Sequence, residues 1–336
     1  MKRRATLTFR FGCILLVTFL FCAFVLMPKP VRAQTLTATV TVGLDPTGVA
    51  VTPNGEYVYV ANDGSESVSV ISTATNTVTA NVTVGLDPTG VAVTPNGEYV
   101  YVTNAENGSV SVISTATNTV TTTVTGFNLP NSVAVTPNGE YVYVTNAKGG
   151  SVSVISTATN TVTENVLVGS IPWEVAVTPN GEYVYVTNNG GNSVSVISTA
   201  TNTVTETITV GINPNSVAVT PNGEYVYVAN DGSESVSVIN TTTNTVTATV
   251  LGVGIPGGLA ITPNSAYAYV TNNYNSMVVS VISTVASTSF PTSVPTATPT
   301  VAPTPTIPEF PAAIIGIAIV MIMTPATIFY IKKLKK

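Results

Sequence analysis

Short stretches in which apolar and polar residues alternate recur along most of this chain. In the first complete unit, residues 49–52 are rich in valine, residues 57–60 alternate tyrosine with valine, and residues 67–72 alternate serine with apolar side chains. Residues 77–84 alternate threonine or asparagine with valine or alanine. A period of two in β-branched and aromatic residues predicts strands rather than helices. Each unit is therefore predicted to hold four strands, which we name A to D in chain order.

The four-strand unit recurs every 42 residues, as from Pro53 to Pro95. The prolines of the recurring Thr-Pro-Asn tripeptide are Pro53, Pro95, Pro137, Pro179, Pro221 and Pro263. A second set with the same step is Pro46, Pro88, Pro130, Pro172, Pro214 and Pro256. One such unit cannot bury both of its faces and must stack on its neighbours. The sequence therefore predicts an all-β, six-bladed β-propeller of equal four-stranded units over residues 34–285.

The two ends of the repeat region predict how the ring closes. Residues 35–42 have the D pattern and precede the first A strand, whereas the last unit ends with the C pattern at 279–283. We therefore expect the first strand to complete the last sheet, a one-plus-three closure that leaves no open edge. An open solenoid is the alternative, although neither end carries a polar capping repeat.

The loops predict one variable face. Pro53-Asn54-Gly55 suits a tight turn between strands A and B, whereas the B–C and D–A loops differ between units and leave a propeller on the same side. Trp173 is expected in a D–A loop, where it is a candidate hot spot for a partner or a sugar; packing against its own loop is the alternative. The carboxylates predicted on this face are Asp45, Asp87, Asp63, Glu66, Glu106, Glu174, Asp231 and Glu234.

The chain ends indicate export and anchoring. Residues 1–33 have the basic, apolar and small-residue order of a signal peptide cleaved after Ala33, with an uncleaved anchor as the alternative. Residues 286–307 are rich in Thr and Pro and are predicted to form an extended stalk. Residues 308–336 contain an apolar stretch at 312–331 and a basic tail, which predict one transmembrane helix with its end in the cytoplasm.

Charge and composition exclude several functions. The whole chain has a net charge of −5, but Lys148 is the only basic residue among the repeats against fifteen Asp and Glu, which gives 1 − 15 = −14 there. Such a surface repels nucleic acid, so no nucleic-acid partner is expected. The chain has no histidine, and Cys13 and Cys22 both lie in the predicted signal peptide. Ser-His-Asp and Cys-His catalysis and His-ligated zinc are therefore excluded.

Neither a catalytic residue nor a cofactor is predicted from these residue types. The acidic, glycine-containing loops could bind calcium weakly, but no EF-hand spacing is present, and solvated loops are the simpler interpretation. Three sequons begin at Asn81, Asn107 and Asn240, and export would make them candidates for glycosylation.

The recurring Tyr-Val-Tyr-Val-Thr-Asn, as at residues 99–104 and 183–188, resembles the YVTN β-propeller repeat family, which includes archaeal surface-layer proteins. Pro308-Glu309-Phe310, followed by the apolar stretch and lysines, resembles the PEF-type archaeosortase sorting signal. In that family a membrane archaeosortase cuts near the motif and attaches a lipid. The resemblance implies an archaeal cell-surface protein and offers no catalytic residues to carry over.

Two functions are consistent with these features. The first is a non-enzymatic envelope, adhesion or protein-interaction module on a stalk, with other envelope proteins or surface glycans as partners and a membrane attachment through the C-terminal helix or a lipid. The alternative is a calcium-dependent hydrolase or ligand-binding receptor with its site in the central channel. A uniform channel mouth would favour the first, and clustered carboxylates specific to individual blades would favour the second.

Overall fold

Twenty-three strands in six antiparallel sheets make up the fold, in a computed structural model that describes residues 37–273 and 278–284. The chain separates into two units, Met1–Ala286 and Ser287–Lys336, and all described residues belong to the first. The predicted signal peptide, stalk, transmembrane helix and sorting motif Pro308, Glu309 and Phe310 lie outside the described residues. Among the described residues, no helix has the length and apolar character needed to cross a membrane.

The sheets follow one another along the chain and are numbered 1 to 6. Each of sheets 1 to 5 has four strands in chain order, and sheet 6 has three. The strands are β1 Pro46–Val51, β2 Tyr57–Asn62, β3 Ser67–Ser72 and β4 Thr77–Thr83; β5 Pro88–Val93, β6 Tyr99–Asn104, β7 Ser109–Ser114 and β8 Thr119–Thr125; β9 Pro130–Val135, β10 Tyr141–Asn146, β11 Ser151–Ser156 and β12 Thr161–Leu167; β13 Pro172–Val177, β14 Tyr183–Asn188, β15 Ser193–Ser198 and β16 Thr203–Thr209; β17 Pro214–Val219, β18 Tyr225–Asn230, β19 Ser235–Asn240 and β20 Thr245–Leu251; β21 Ile255–Ile261, β22 Tyr267–Asn273 and β23 Val279–Ser283. Short 3-10 turns cover Asp63–Ser65, Asn189–Gly191 and Asp231–Ser233.

The A strands begin earlier than the alternation predicts. In sheet 1, Pro46 pairs with Asn62, and a bulge separates that pair from Val49 and Val60. Proline is tolerated at the first position of a strand, and a bulge places extra residues on one strand without ending it. The two residues after each recurrent proline, which the pattern assigned to a loop, therefore belong to a strand.

The turn between strands A and B has the predicted tight geometry. Gly55 adopts a φ of 73°, a conformation that glycine reaches without steric cost. Its backbone N–H donates to the carbonyl oxygen of Thr52 at 2.8 Å, and Asn54 Oδ1 accepts the backbone N–H of Glu56 at 3.1 Å. The recurring Thr-Pro-Asn-Gly-Glu is thus a local turn sequence, and the side chain of Glu56 is exposed.

The third residue of the B strand in sheets 1 to 5 fills the space between neighbouring sheets. Tyr143, on β10, has an exposed fraction of 0%, and its hydroxyl donates to Asn202 Oδ1 in the C–D turn of the next sheet at 2.7 Å. The same bond joins Tyr59 to Asn118, Tyr101 to Asn160 and Tyr185 to Asn244. Burial raises the pKa of Tyr59, Tyr101, Tyr143 and Tyr185 to about 12. The four interfaces between sheets 1 and 5 are therefore built from the same parts.

In sheet 2, the asparagine that ends the B strand joins strands B and C to the link that precedes strand A. Asn104 is buried, and its Nδ2 donates to the hydroxyls of Ser109 and Ser111 on strand C at 3.0 Å each. Its Oδ1 accepts the backbone N–H of Gly85 at 3.1 Å. Gly85 lies in the link between strand D of sheet 1 and strand A of sheet 2. Satisfied buried amides of this kind fix the relative positions of the strands.

The predicted closure is wrong for the described residues, in which residues 37–42 form no strand and sheet 6 lacks a fourth strand. Consecutive A strands pack together from β1 to β21, but no comparable packing joins β21 to β1. The two end faces are exposed: Val49 by 64% and Val281 by 54%, whereas Val133, the equivalent of Val49 in sheet 3, is exposed by 8%. The exposure of Val49 and Val281 shows that the end faces lack the packing found between neighbouring sheets.

The prediction of six units of equal length is also wrong, because the last unit has one extra residue. Tyr225 pairs with Asn240 in sheet 5, whereas its equivalent Tyr267 pairs with Ser283 in sheet 6. The additional residue lies between β22 and β23, a link that includes residues outside the described part of the chain. The insertion lies in the connection rather than in a strand, so the pairing of β22 with β23 is preserved.

Candidate ligand cavity

The first strands of all six sheets line one central cavity of about 550 Å³. Its wall consists mainly of the two residues that follow each recurrent proline. At the first of these positions, the residues are Thr47, Thr89, Asn131, Trp173, Asn215 and Gly257. At the second position, the residues are Gly48, Gly90, Ser132, Glu174, Ser216 and Gly258. A volume of this size is typical of sites for small molecules.

Hydrogen bonds between sheets hold the cavity wall in place. Thr89 Oγ1 donates to the carbonyl oxygen of Asn131 at 2.8 Å, and Asn131 Nδ2 donates to the carbonyl oxygen of Trp173 at 2.9 Å. On the other side of Trp173, Asn215 Nδ2 donates to the carbonyl oxygen of Pro256 at 3.1 Å. The side chains at the first position therefore join neighbouring A strands, except between β13 and β17, where the bond is made by Glu174. The wall is thus formed before any ligand arrives.

Gly48 has a packing role in the wall. A Cβ at that position would lie 2.2 Å from the carbonyl oxygen of Thr89. Any larger side chain would push the first two A strands apart. Where the wall carries Glu174 instead, the local spacing between A strands accommodates a side chain.

Glu174 is the only residue with a titratable side chain among the described residues that line the cavity. Its Oε2 accepts the backbone N–H of Val217, on the neighbouring A strand, at 2.7 Å. Burial raises the pKa of Glu174, while hydrogen bonds from Ser216 and Val217 partly offset this effect. The structure thus brings one carboxylate, without a second, into the cavity wall.

Trp173 lies in β13 rather than in a loop, and its exposed fraction is 40%. It borders the cavity next to Glu174, and an aromatic ring in that position can stack on a ligand. The tryptophan is the only one in the chain. The sequence pattern predicted that Trp173 lies in a variable loop, whereas in the structure it lies on a strand that lines the cavity.

The remaining predicted carboxylates lie in the linkers and B–C loops and do not form a shared site. Asp63 and Asp87 form one pair, in which a hydrogen bond from the protonated carboxyl of Asp63 to Asp87 raises the pKa of Asp63. The other carboxylates lie in linkers and loops of separate sheets. Four of them are exposed and Asp231 is half-buried: Asp45, Glu66, Glu106, Asp231 and Glu234. Within residues 37–273 and 278–284, no three carboxylates or other ligating side chains come together to hold a metal.

The three predicted glycosylation sequons lie at separate surfaces. Asn81 is exposed on β4, although its Oδ1 accepts the hydroxyl of Ser69 at 2.8 Å. Asn107 is exposed in the B–C loop of sheet 2, where its Oδ1 accepts the backbone N–H of Leu86. Asn240 is half-buried, and its Oδ1 caps the following turn by accepting the backbone N–H of Thr242 at 3.0 Å. Asn81 and Asn107 are thus more exposed than Asn240.

Sequence reasoning missed the polar residues that complete the wall, namely Asn131, Ser132, Asn215 and Ser216. A signal for them was nevertheless present. The two residues after the recurrent proline are Thr-Gly, Thr-Gly, Asn-Ser, Trp-Glu, Asn-Ser and Gly-Gly in successive units, while the rest of the A strand hardly changes. Variation between units that is confined to two positions of an otherwise repeated strand indicates that those two side chains do not pack in the core shared by all units.

The family model described as "Lactonase, 7-bladed beta-propeller" matches this sequence over residues 24–136, 75–169 and 155–263. No curated protein matches the chain. Similar solved structures include the hydrazine synthase of Kuenenia stuttgartiensis, which is 25% identical, covers 70% of this chain and 77% of its own, and has a TM-score of 0.63.

Two further solved structures have the same TM-score of 0.63. One is a functionally unknown protein from Desulfotomaculum acetoxidans DSM 771, which is 20% identical and covers 72% of this chain and 84% of its own. The other, from Bacteroides uniformis ATCC 8492, is provisionally described as a 6-phosphogluconolactonase; it is 21% identical and covers 72% of this chain and 82% of its own. At these identities the two structures show likeness of fold.

Proposed function

The chain belongs to the family of lactonase-type seven-bladed β-propellers, and from that premise we propose that this member is a non-enzymatic binding module that recognises its ligand or partner at the central cavity. The observation that carries the proposal is the pair Trp173 and Glu174, present in one blade of an otherwise neutral wall. A partly exposed aromatic ring next to a single carboxylate gives a repetitive cavity one distinct recognition point.

The chemistry of the wall favours binding over hydrolysis. Opening a lactone requires a base or nucleophile and groups that stabilise a developing oxyanion. Among the described lining residues, Glu174 is the only candidate base, and its Oε2 already accepts the N–H of Val217. The chain contains no histidine, and Lys148, the only basic residue among the repeats, lies in a B–C loop. A carboxylate without a cation nearby would repel an oxyanion rather than stabilise it.

The proposal includes display at an archaeal cell surface. It is supported by the signal-peptide pattern of residues 1–33, the Thr/Pro tract at 286–307 and the PEF-like motif before an apolar stretch. The strong negative charge of the repeats suits an exported, salt-exposed domain. Other envelope proteins or surface glycans are the expected partners, with attachment to the membrane through the C-terminal helix or a lipid.

The intrinsic fluorescence of Trp173 provides a direct test, because the chain has no other tryptophan. The full chain would be titrated with fractionated envelope proteins and glycans, and binding components would be identified. Binding should shift the emission, and Trp173→Ala should abolish capture of the same component. Tyr99→Ala is the matched control, because Tyr99 is 38% exposed and lies outside the cavity.

A lactonase assay tests the non-enzymatic part of the proposal. The full chain should not accelerate hydrolysis of aliphatic or sugar lactones above the buffer rate. Hydrolysis that is lost in Glu174→Gln would show that the cavity is an active site and would overturn the proposal. Capture of an envelope component that is equally strong in Trp173→Ala would place the binding surface elsewhere and would also overturn it.

A further inference from the structure

We infer that the central cavity is selective for a cationic group, an ammonium or guanidinium, bound at the wall by Trp173 and Glu174. This inference rests on the proposed function and names the class of ligand. The group could belong to a free organic cation or to a Lys or Arg side chain of a partner protein, and the two sources share the same chemistry.

The first argument is the missing countercharge. A carboxylate withdrawn from water is costly unless a cation or several hydrogen bonds compensate it. Glu174 has hydrogen bonds from one neighbouring strand, but no cationic side chain lines the cavity among the described residues. A cation that entered the cavity would supply the missing charge, whereas an anion would add to the electrostatic cost.

The second argument is the field around the cavity. The other polar lining residues, such as Thr47, Asn131 and Ser132, are uncharged, and the repeats together carry a net charge of −14, as counted above. A concave site surrounded by charge of one sign concentrates ligands of the opposite sign. The cavity is therefore unsuited to a phosphorylated ligand.

The third argument is the aromatic ring. Tryptophan attracts cations more strongly than tyrosine or phenylalanine because of its larger quadrupole. Trp173 is 40% exposed and lines the cavity together with Glu174. Both residues lie in the bulge between Pro172 and Val175, where the strict alternation of side chains is interrupted. An aromatic ring and a carboxylate are the apolar and the charged contact that an alkylated ammonium group requires.

The groups around Glu174 predict how pH acts on binding. The strands packed against β13 are β9, β10, β14 and β17. They contribute no carboxylate and no cation, and their titratable side chains are tyrosines. On β14, Tyr185 pairs with Ala176, which is two residues after Glu174 and is not part of the cavity wall. Only the ionised form of Glu174 attracts a cation, so affinity should fall as pH is lowered through the pKa of Glu174, which burial places above its ordinary value.

The test uses Trp173 fluorescence in the full chain, titrated with choline and with its uncharged isostere, in which a tert-butyl group replaces the trimethylammonium group. Choline should bind, and the isostere should bind at least about tenfold more weakly. Glu174→Gln preserves the size of the side chain and an oxygen that can accept the Val217 N–H, and it should weaken choline binding by about tenfold. Glu106→Gln removes the same charge from an exposed loop and should change affinity less than about twofold.

A second arm identifies the source of the cation. If N-acetyl-arginine amide or a basic peptide binds in a Glu174-dependent way and choline does not, the ligand is the side chain of a partner protein and the inference holds. Equal binding of choline and its isostere, or full binding by Glu174→Gln, overturns it. If no cation binds while an envelope component still requires Trp173, this inference fails and the proposed function stands. Circular dichroism of each variant checks that the fold is retained.

Discussion

The side chain of Tyr143 should be among the most costly to remove from this protein. It has no exposed surface and packs between sheets 3 and 4 in a cluster with Val154 and Val175. Truncating a fully buried aromatic side chain to alanine costs about 3–5 kcal/mol, because the transfer free energy is lost and a cavity is left. The interface that it fills is the one next to Trp173.

The same change in the last sheet should cost much less. Tyr269 occupies the equivalent position but is 43% exposed, so slightly more than half of the side chain is buried. Scaled by that fraction, Tyr269→Ala should cost about 1.7–2.9 kcal/mol. Tyr143→Phe separates packing from hydrogen bonding, since it removes only the bond to Asn202 Oδ1, and should cost about 1 kcal/mol.

Urea denaturation followed by two probes measures these differences. Far-ultraviolet circular dichroism reports all sheets, and fluorescence reports Trp173 in sheet 4. Because each unit contacts only its neighbours, loss of one interface can uncouple the flanking sheets. In Tyr143→Ala the fluorescence transition should therefore occur at lower urea concentration than the dichroism transition. Equal costs for Tyr143→Ala and Tyr269→Ala would refute the argument that stability resides in repeated inter-sheet packing.

Three further predictions follow from the same structure. The free energy of unfolding should decrease between pH 10 and pH 12. In the unfolded chain the tyrosines lose their protons near their ordinary pKa of about 10, whereas the buried tyrosines of the folded protein retain them up to a pKa of about 12. Unfolding free energies that stay constant over this range would contradict the prediction. Asn104→Ala should destabilise the protein by about 1–3 kcal/mol in thermal or urea unfolding, and more than Asn62→Ala, since Oδ1 of Asn62 already lacks a partner. Ala38→Cys combined with Val281→Cys should give no disulfide within one chain, because residues 37–42 do not pair with β23; rapid formation of that bond, seen by thiol titration and mass spectrometry, would show that the ring closes as the sequence predicts.

The sequence was sufficient for the local structure because local structure here depends on local patterns. Period-two alternation located the B and C strands, and Pro53-Asn54-Gly55 identified the turn between strands A and B. Residues 67–72 and 279–283 match β3 and β23 at both ends. The predicted A strands began about three residues after the observed ones, because the bulge after Pro46 interrupts the alternation without ending the strand.

The global arrangement could not be obtained from the same patterns. Residues 35–42 have the composition of a D strand, and counting strands therefore suggested closure. Counting gives the number of sheets but not the angle between them, which depends on how Tyr59 and its equivalents fill each interface. The repeat also concealed the extra residue before β23, because the recurrent prolines all precede it.

The position of the cavity residues was missed for a related reason. Trp173 and Glu174 were assigned to a loop because they differ between units, and variation is usually greatest in loops. In this fold the beginning of each A strand faces the central channel, so a strand residue there is free of the inter-sheet core.

The number of blades and the location of the site are connected. The family is described as seven-bladed, and the described residues form six sheets whose end faces, around Val49 and Val281, are exposed. The first and last sheets do not pack on each other as neighbouring sheets do. The cavity is still lined by all six A strands, because the bonds that fix its wall, such as Asn131 to Trp173, join adjacent sheets only. Recognition at Trp173 and Glu174 therefore requires the blades on either side of sheet 4 and does not require a closed ring.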